Sequence, residues 1–136
     1  MKQLESKSAI ATIHPSGIIE FRLKPDWDQP DTPEVAIDNA LTLKKAVESS
    51  NSICGIITYA PNLYLKKEVL EAYASIQIGH IASAIVVRSV GSRIFANLAL
   101  KFIKTPTPKK IFTNPEKAKI WLLDQIANAK MSVGSR

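Results

Sequence analysis

Residues 18–24 read Ile-Ile-Glu-Phe-Arg-Leu-Lys. Ile19, Phe21 and Leu23 fall on one side of an extended chain, and Glu20, Arg22 and Lys24 on the other. A period of two marks a strand in a sheet with one wet face. Residues 9–13 form a second short apolar run, and His14-Pro15-Ser16-Gly17 between the two is turn chemistry, so the pair predicts a hairpin.

Past the loop of residues 25–30, the spacing changes to that of a helix. Thr32 is placed to cap the first free N–H groups, Pro33 suits the first helical position and Glu34 suits the dipole. Ala36, Ala40, Leu43 and Val47 make the buried stripe, and Ser49-Ser50-Asn51-Ser52 ends it. Residues 53–59 are nearly all apolar without alternation, the pattern of a central strand covered on both faces. A second helix is expected over about residues 65–78, with Leu65, Val69, Ala72, Tyr73 and Ile76 inward and Gly79 as its stop. Another covered strand spans residues 82–88.

A third helix is expected over about residues 92–104. Ile94, Phe95, Leu98, Phe102 and Ile103 face inward, and Arg93, Asn97, Lys101 and Lys104 outward with Leu100 among them. The prolines of Thr105-Pro106-Thr107-Pro108 stop it. A short strand over residues 110–113 precedes a last helix that starts at Asn114-Pro115-Glu116 and runs to about residue 129, with Ala118, Trp121, Leu122, Gln125 and Ala129 on one face.

The order β-β-α-β-α-β-α-β-α predicts an α/β fold: a mixed, mostly parallel sheet of about five strands with four helices. A chain of 136 residues fits one domain. Residues 1–7 and 131–136 are expected as flexible tails.

Charge changes this picture more than composition does. Residues 1–87 carry 8 basic and 10 acidic side chains, whereas residues 88–119 carry 8 basic side chains against Glu116 alone. A basic third on a near-neutral body points to an anionic partner, or to a solvated face. Charges near the N-terminus stand where a secretory signal needs an apolar core, so the cytoplasm is the expected location. The single cysteine, Cys54, precludes an intrachain disulfide and reads as a small buried hydrophobe.

The hairpin with Gly17-Ile18-Ile19-Glu20-Phe21 is followed by the apolar strand leading into Leu65-Lys66-Lys67-Glu68-Val69-Leu70-Glu71-Ala72-Tyr73. With Ala84-Ile85-Val86-Val87-Arg88 and Lys110-Ile111-Phe112-Thr113-Asn114-Pro115, these stretches resemble the STAS domain of bacterial anti-sigma-factor antagonists, a fold related to the lipid-binding CRAL-TRIO domain. The resemblance spans about residues 8–126. It implies a single STAS-like domain that binds a protein or a ligand. In the antagonists an acidic residue ends the central strand and a phosphorylatable serine opens the next helix. Here those places read Thr58-Tyr59-Ala60 and Tyr64-Leu65-Lys66-Lys67, so the serine switch is not expected.

Candidate chemistry is sparse. His14 and His80 stand outside any ligand or catalytic motif and are expected to be solvated or backbone-bonded. Asp26, Asp28 and Asp31 share a loop that lacks the glycine turn and terminal Glu of a calcium site. No metal, cofactor or catalytic residue is assigned. A weak anion site is readable at Arg88, Gly91 and Ser92, where a helix start meets arginines. The expected contact surface comprises Arg93, Asn97, Leu100, Lys101 and Lys104 on one helix face, and Asn62, Tyr64, Lys66 and Lys67 at the loop before the second helix. Phe95 and Phe102 point inward and not at a base, which disfavours nucleic acid. The expected function is a non-enzymatic regulatory or protein-binding module. The alternatives are a domain for an anionic lipid or small molecule and an enzyme on an anionic substrate. Leu100 on a charged face and an open sheet edge leave room for a homodimer.

Overall fold

The computed structural model describes residues 1–59, 66–89 and 107–134. Among them are six strands and three helices: β1 (Lys2–Glu5), β2 (Ala9–Ile13), β3 (Ile18–Leu23), α1 (Pro33–Ser50), β4 (Gly55–Tyr59), α2 (Lys67–Ala74), β5 (Ala82–Val86), β6 (Lys109–Phe112) and α3 (Pro115–Gly134). They form one mixed sheet whose spatial order follows the chain, β1 through β6. β1, β2 and β3 pair antiparallel, and β3 to β6 run parallel. No helix among the described residues is long and apolar enough to cross a membrane.

Each local signal has a visible cause. Thr32 Oγ1 accepts from Val35 N at 3.2 Å at the start of α1, and Asn51 closes that helix in the left-handed conformation, φ 52°. Asn114 Oδ1 accepts from the N–H groups of Glu116 and Lys117 at 2.9 and 3.2 Å to open α3. Gly17 turns the β2–β3 hairpin at φ +96°, and a Cβ there would lie 2.7 Å from the carbonyl oxygen of Ile53. Gly55 matters for a different reason: α3 approaches so closely that a Cβ would meet Leu122 at 2.9 Å.

The two sheet faces carry separate cores. Ala9, Ala11, Ile19, Phe21, Cys54 and Ile56 pack under Leu43 and Ala46 of α1. Ile18, Ile57, Ala82, Ala84 and Val86 pack under Ala118, Leu122 and Ile126 of α3. Ile56 and Ile57 thus go to opposite faces, as the unalternating run in β4 requires. The ring of Trp121 rests 5.8 Å from that of Phe112, tying α3 to β6.

Four expectations are corrected. Residues 2–5 are a strand and not a tail, because long-range hydrogen bonds hold the turn that follows. Ser6 and Ser8 donate to Asn39 Oδ1 of α1 at 2.6 and 2.9 Å, and Lys7 N donates to Asp38 Oδ2 at 2.9 Å. The strand count therefore rises from five to six. Residues 131–134 continue α3. α2 is shorter than its apolar stripe and ends at Ser75, whose Oγ donates to Ala72 O at 2.6 Å. Leu23 is exposed where β3 leaves the sheet. The helix expected over residues 92–104 lies outside the described residues.

Candidate functional site

One row of residues crosses the whole sheet on the α3 side: Gln3, Thr12, Glu20, Ile57, Ala84 and Lys110 are neighbours in successive strands. α3 packs mainly on β4 and β5 and reaches only the near side of β3. Ile57 and Ala84, beneath it, are apolar and buried. Gln3 and Thr12 lie beyond it and are polar, with Gln3 Nε2 donating to Thr12 Oγ1 at 3.2 Å. Half of this sheet face is therefore uncovered by any described helix, and Glu20 stands on the boundary.

Three basic side chains converge on Glu20, whose side chain is only 17% exposed. His14 Nε2 lies 2.9 Å from Oε1, Arg22 Nε 3.5 Å from Oε2 and Lys119 Nζ 3.9 Å from Oε1. The His14 contact is short but off the line of a hydrogen bond, so Nε2 has no hydrogen-bond partner. Arg22 is held twice. Its guanidinium carbon sits 3.6 Å above the centre of the Tyr59 ring, a cation–π contact between neighbouring parallel strands. The Tyr59 hydroxyl is buried without a partner. With its side chain 56% exposed, Arg22 offers the rest of its planar donor fork to solvent. Such a fork suits a carboxylate or a phosphate. Arg22 and Lys119 against Glu20 leave one net positive charge at the boundary, His14 not counted.

Four other groups are shifted by their surroundings. Burial, with the Lys109 ammonium second, holds His80 down from its ordinary 6.5 to about 4. His80 Nδ1 is buried without a hydrogen-bond partner. Burial also lowers Lys109. Near the start of α1, burial raises the Asp31 carboxyl. The Tyr73 hydroxyl is raised first by burial, opposed by its hydrogen bond from Asn39, and raised further by the Asp31 charge. A depression of about 300 Å³ near the β2–β3 turn is lined by Lys2, His14, Ser49, Ser50 and Ser52. Cys54 is buried, with Ser50 Oγ 2.8 Å from its Sγ. Among the described residues, no group of three or more His, Cys, Asp or Glu is placed to hold a metal.

Of the residues expected from the sequence to make contact, Lys66, Lys67 and Arg88 are described, and all three are exposed. Lys67 Nζ lies 3.8 Å from Glu71 one turn on. Lys66 and Lys67 begin α2 and Arg88 follows β5, which puts them all at the end of the sheet where its parallel strands finish. Asn62, Tyr64, Gly91, Ser92, Arg93, Asn97, Leu100, Lys101 and Lys104 lie outside the described residues. The Glu20 cluster was not expected from the sequence. Its only signal was an excess of charge on the wet side of β3, together with an aromatic residue ending β4. Both histidines depart from expectation: His14 faces a carboxylate, and half-buried His80 holds Nδ1 without a hydrogen-bond partner. These features define a mixed-sheet α/β protein with a charge-bearing half-face that no described helix covers. Comparison with protein-family models, curated proteins and solved structures gave no match to this chain.

Proposed function

We propose that the protein is a non-enzymatic binding module of STAS type that grips an acidic group of a protein partner on the half-face of its sheet that no described helix covers. The observation carrying this reading is Arg22, oriented by Glu20 on one side and by the Tyr59 ring on the other, so its free donors are ordered before a partner arrives. Preorganisation of this kind reduces the entropy lost on binding. The hairpin followed by parallel strands in sequential order agrees with the STAS-like reading. An anionic lipid or a small anionic ligand would use the same guanidinium. An enzyme on an anionic substrate is the weaker alternative, since it needs an acid, base or nucleophile beside Arg22 beyond Glu20 and His14, which face each other.

The test is capture from native lysate with wild type, Arg22→Glu and the triple variant Arg93→Glu, Lys101→Glu, Lys104→Glu. A species lost with Arg22→Glu and kept by the triple variant supports the half-face. The reverse pattern moves the contact to the basic segment. If no species distinguishes the three proteins, and wild type instead sediments with anionic vesicles in a salt-sensitive way, the lipid reading replaces it.

A further inference from the structure

Glu20 plays two opposed parts at the sheet boundary. Its Oε2 holds Arg22 Nε at 3.5 Å, with the guanidinium over the Tyr59 ring. Its negative charge, only 17% exposed and so weakly screened, also repels any anion that approaches Arg22. His14 is placed to separate these two effects. Its Nε2 is buried, has no hydrogen-bond partner and lies 2.9 Å from Oε1, the oxygen that Arg22 does not use. A buried nitrogen left unpaired beside a carboxylate calls for an explanation. An imidazolium carries N–H on both ring nitrogens, so a proton gained by His14 makes Nε2 a charge-assisted donor to Oε1.

We propose, resting on the reading that Arg22 grips an acidic group, that His14 sets the strength of this grip: a proton on His14 tightens the hold on a carboxylate, and a bound carboxylate in turn draws a proton onto His14. The added charge acts at Oε1, while Oε2 and the Tyr59 ring go on holding Arg22. Repulsion is therefore cancelled and orientation kept. Arg22 and Lys119 against Glu20 give one net positive charge, and the imidazolium makes it two. The charged groups facing His14 are Glu20 and Arg22 of β3 and Lys119 of α3. Met1 and Lys2 line the depression beside it, where the end of α1 adds the hydroxyls of Ser49 and Ser50. An ordinary imidazole changes charge between about pH 5 and 8. The second of the two histidines, His80, is held down to about 4 and stays out of that interval.

A hexa-aspartate peptide is the probe, because its carboxylates stay ionised across about pH 5.5 to 8. Calorimetry measures its affinity for the full chain at both ends of that interval, and NMR follows the His14 ring protons with and without it. Wild type is expected to bind about fivefold or more tightly at the lower pH. The His14 titration moves upward by the matching amount when the peptide is present, since linkage is reciprocal. His14→Gln binds equally at both pH values. Glu20→Gln, whose amide oxygen still accepts from Arg22, binds at the higher pH as tightly as wild type does at the lower. Wild-type affinity that needs Arg22 but is the same at both pH values overturns the role of His14 and leaves the Arg22 grip standing. So does a pH dependence that survives in His14→Gln. Binding undiminished in Arg22→Gln, or no wild-type binding at either pH, overturns both.

Discussion

Asn39 joins three elements through one side chain. It is 1% exposed. Its Oδ1 accepts from Ser6 Oγ and Ser8 Oγ, on the turn between β1 and β2, and its Nδ2 donates to Tyr73 Oη of α2 at 3.0 Å. Replacing it with leucine keeps the shape and removes all three bonds. The Ser8 hydroxyl, fully buried with no other acceptor in its hydrogen-bond set, is stranded at a cost of about 2 kcal/mol. Ser6 retains a long alternative, Ala9 O at 3.4 Å, so its loss is smaller, about 0.5 kcal/mol. Tyr73 loses a donor at about 1 kcal/mol. The buried methyls of leucine offset about 1 kcal/mol of this. Asn39→Leu is therefore expected to destabilise the protein by about 2–3 kcal/mol, a large share of the roughly 5–15 kcal/mol of a typical domain. Urea unfolding followed by the fluorescence of Trp27 and Trp121 measures it, with an unchanged slope as the control for a two-state comparison. Removing the stranded hydroxyl as well, in Asn39→Leu with Ser8→Ala, is expected to recover about 1 kcal/mol or more relative to additivity. A single variant within about 0.5 kcal/mol of wild type, or strictly additive costs, would refute the view that this network holds the N-terminal strand in place.

Two further outcomes follow from named contacts. Gly17→Ala must adopt a positive φ and push against a backbone oxygen, so a loss of about 2 kcal/mol or more is expected by the same unfolding assay, and a neutral result would contradict the hairpin geometry. His80 binds its proton less readily folded than unfolded. Its contribution is therefore fully present above pH 6.5 and is lost as pH falls from there through about 4. The loss is at most about 3 kcal/mol, and His80→Gln should remove that slope; a wild-type stability that is flat over this interval excludes a buried neutral imidazole.

The alternation at Ile19 and Phe21, the unbroken apolar run at Ile56 and Ile57, and the Thr32-Pro33 and Asn114-Pro115 starts were enough to read the fold class and most of its elements. These signals are local: period, cap and turn act within a few residues, and the chain carries them without reference to its neighbours. β1 could not be read this way. Its four residues hold one apolar side chain, and its turn depends on Asn39 and Asp38, more than thirty residues away in the sequence. The end of α2 falls at Ser75, whose hydroxyl caps a last-turn carbonyl, although the apolar stripe runs on past it. The candidate site was further out of reach. Glu20 and Arg22 read only as the wet side of a strand. Tyr59 read as part of a covered strand, and Lys119 as one lysine in a basic segment. Parallel pairing set Tyr59 beside Arg22, and the packing angle of α3 brought Lys119 to Glu20 and stopped short of Thr12. Sequence determined which residues favour strand or helix and which faces are apolar. Tertiary structure alone decided where coverage of the sheet ends, because that boundary is set by how one helix lies across strands far apart in the chain.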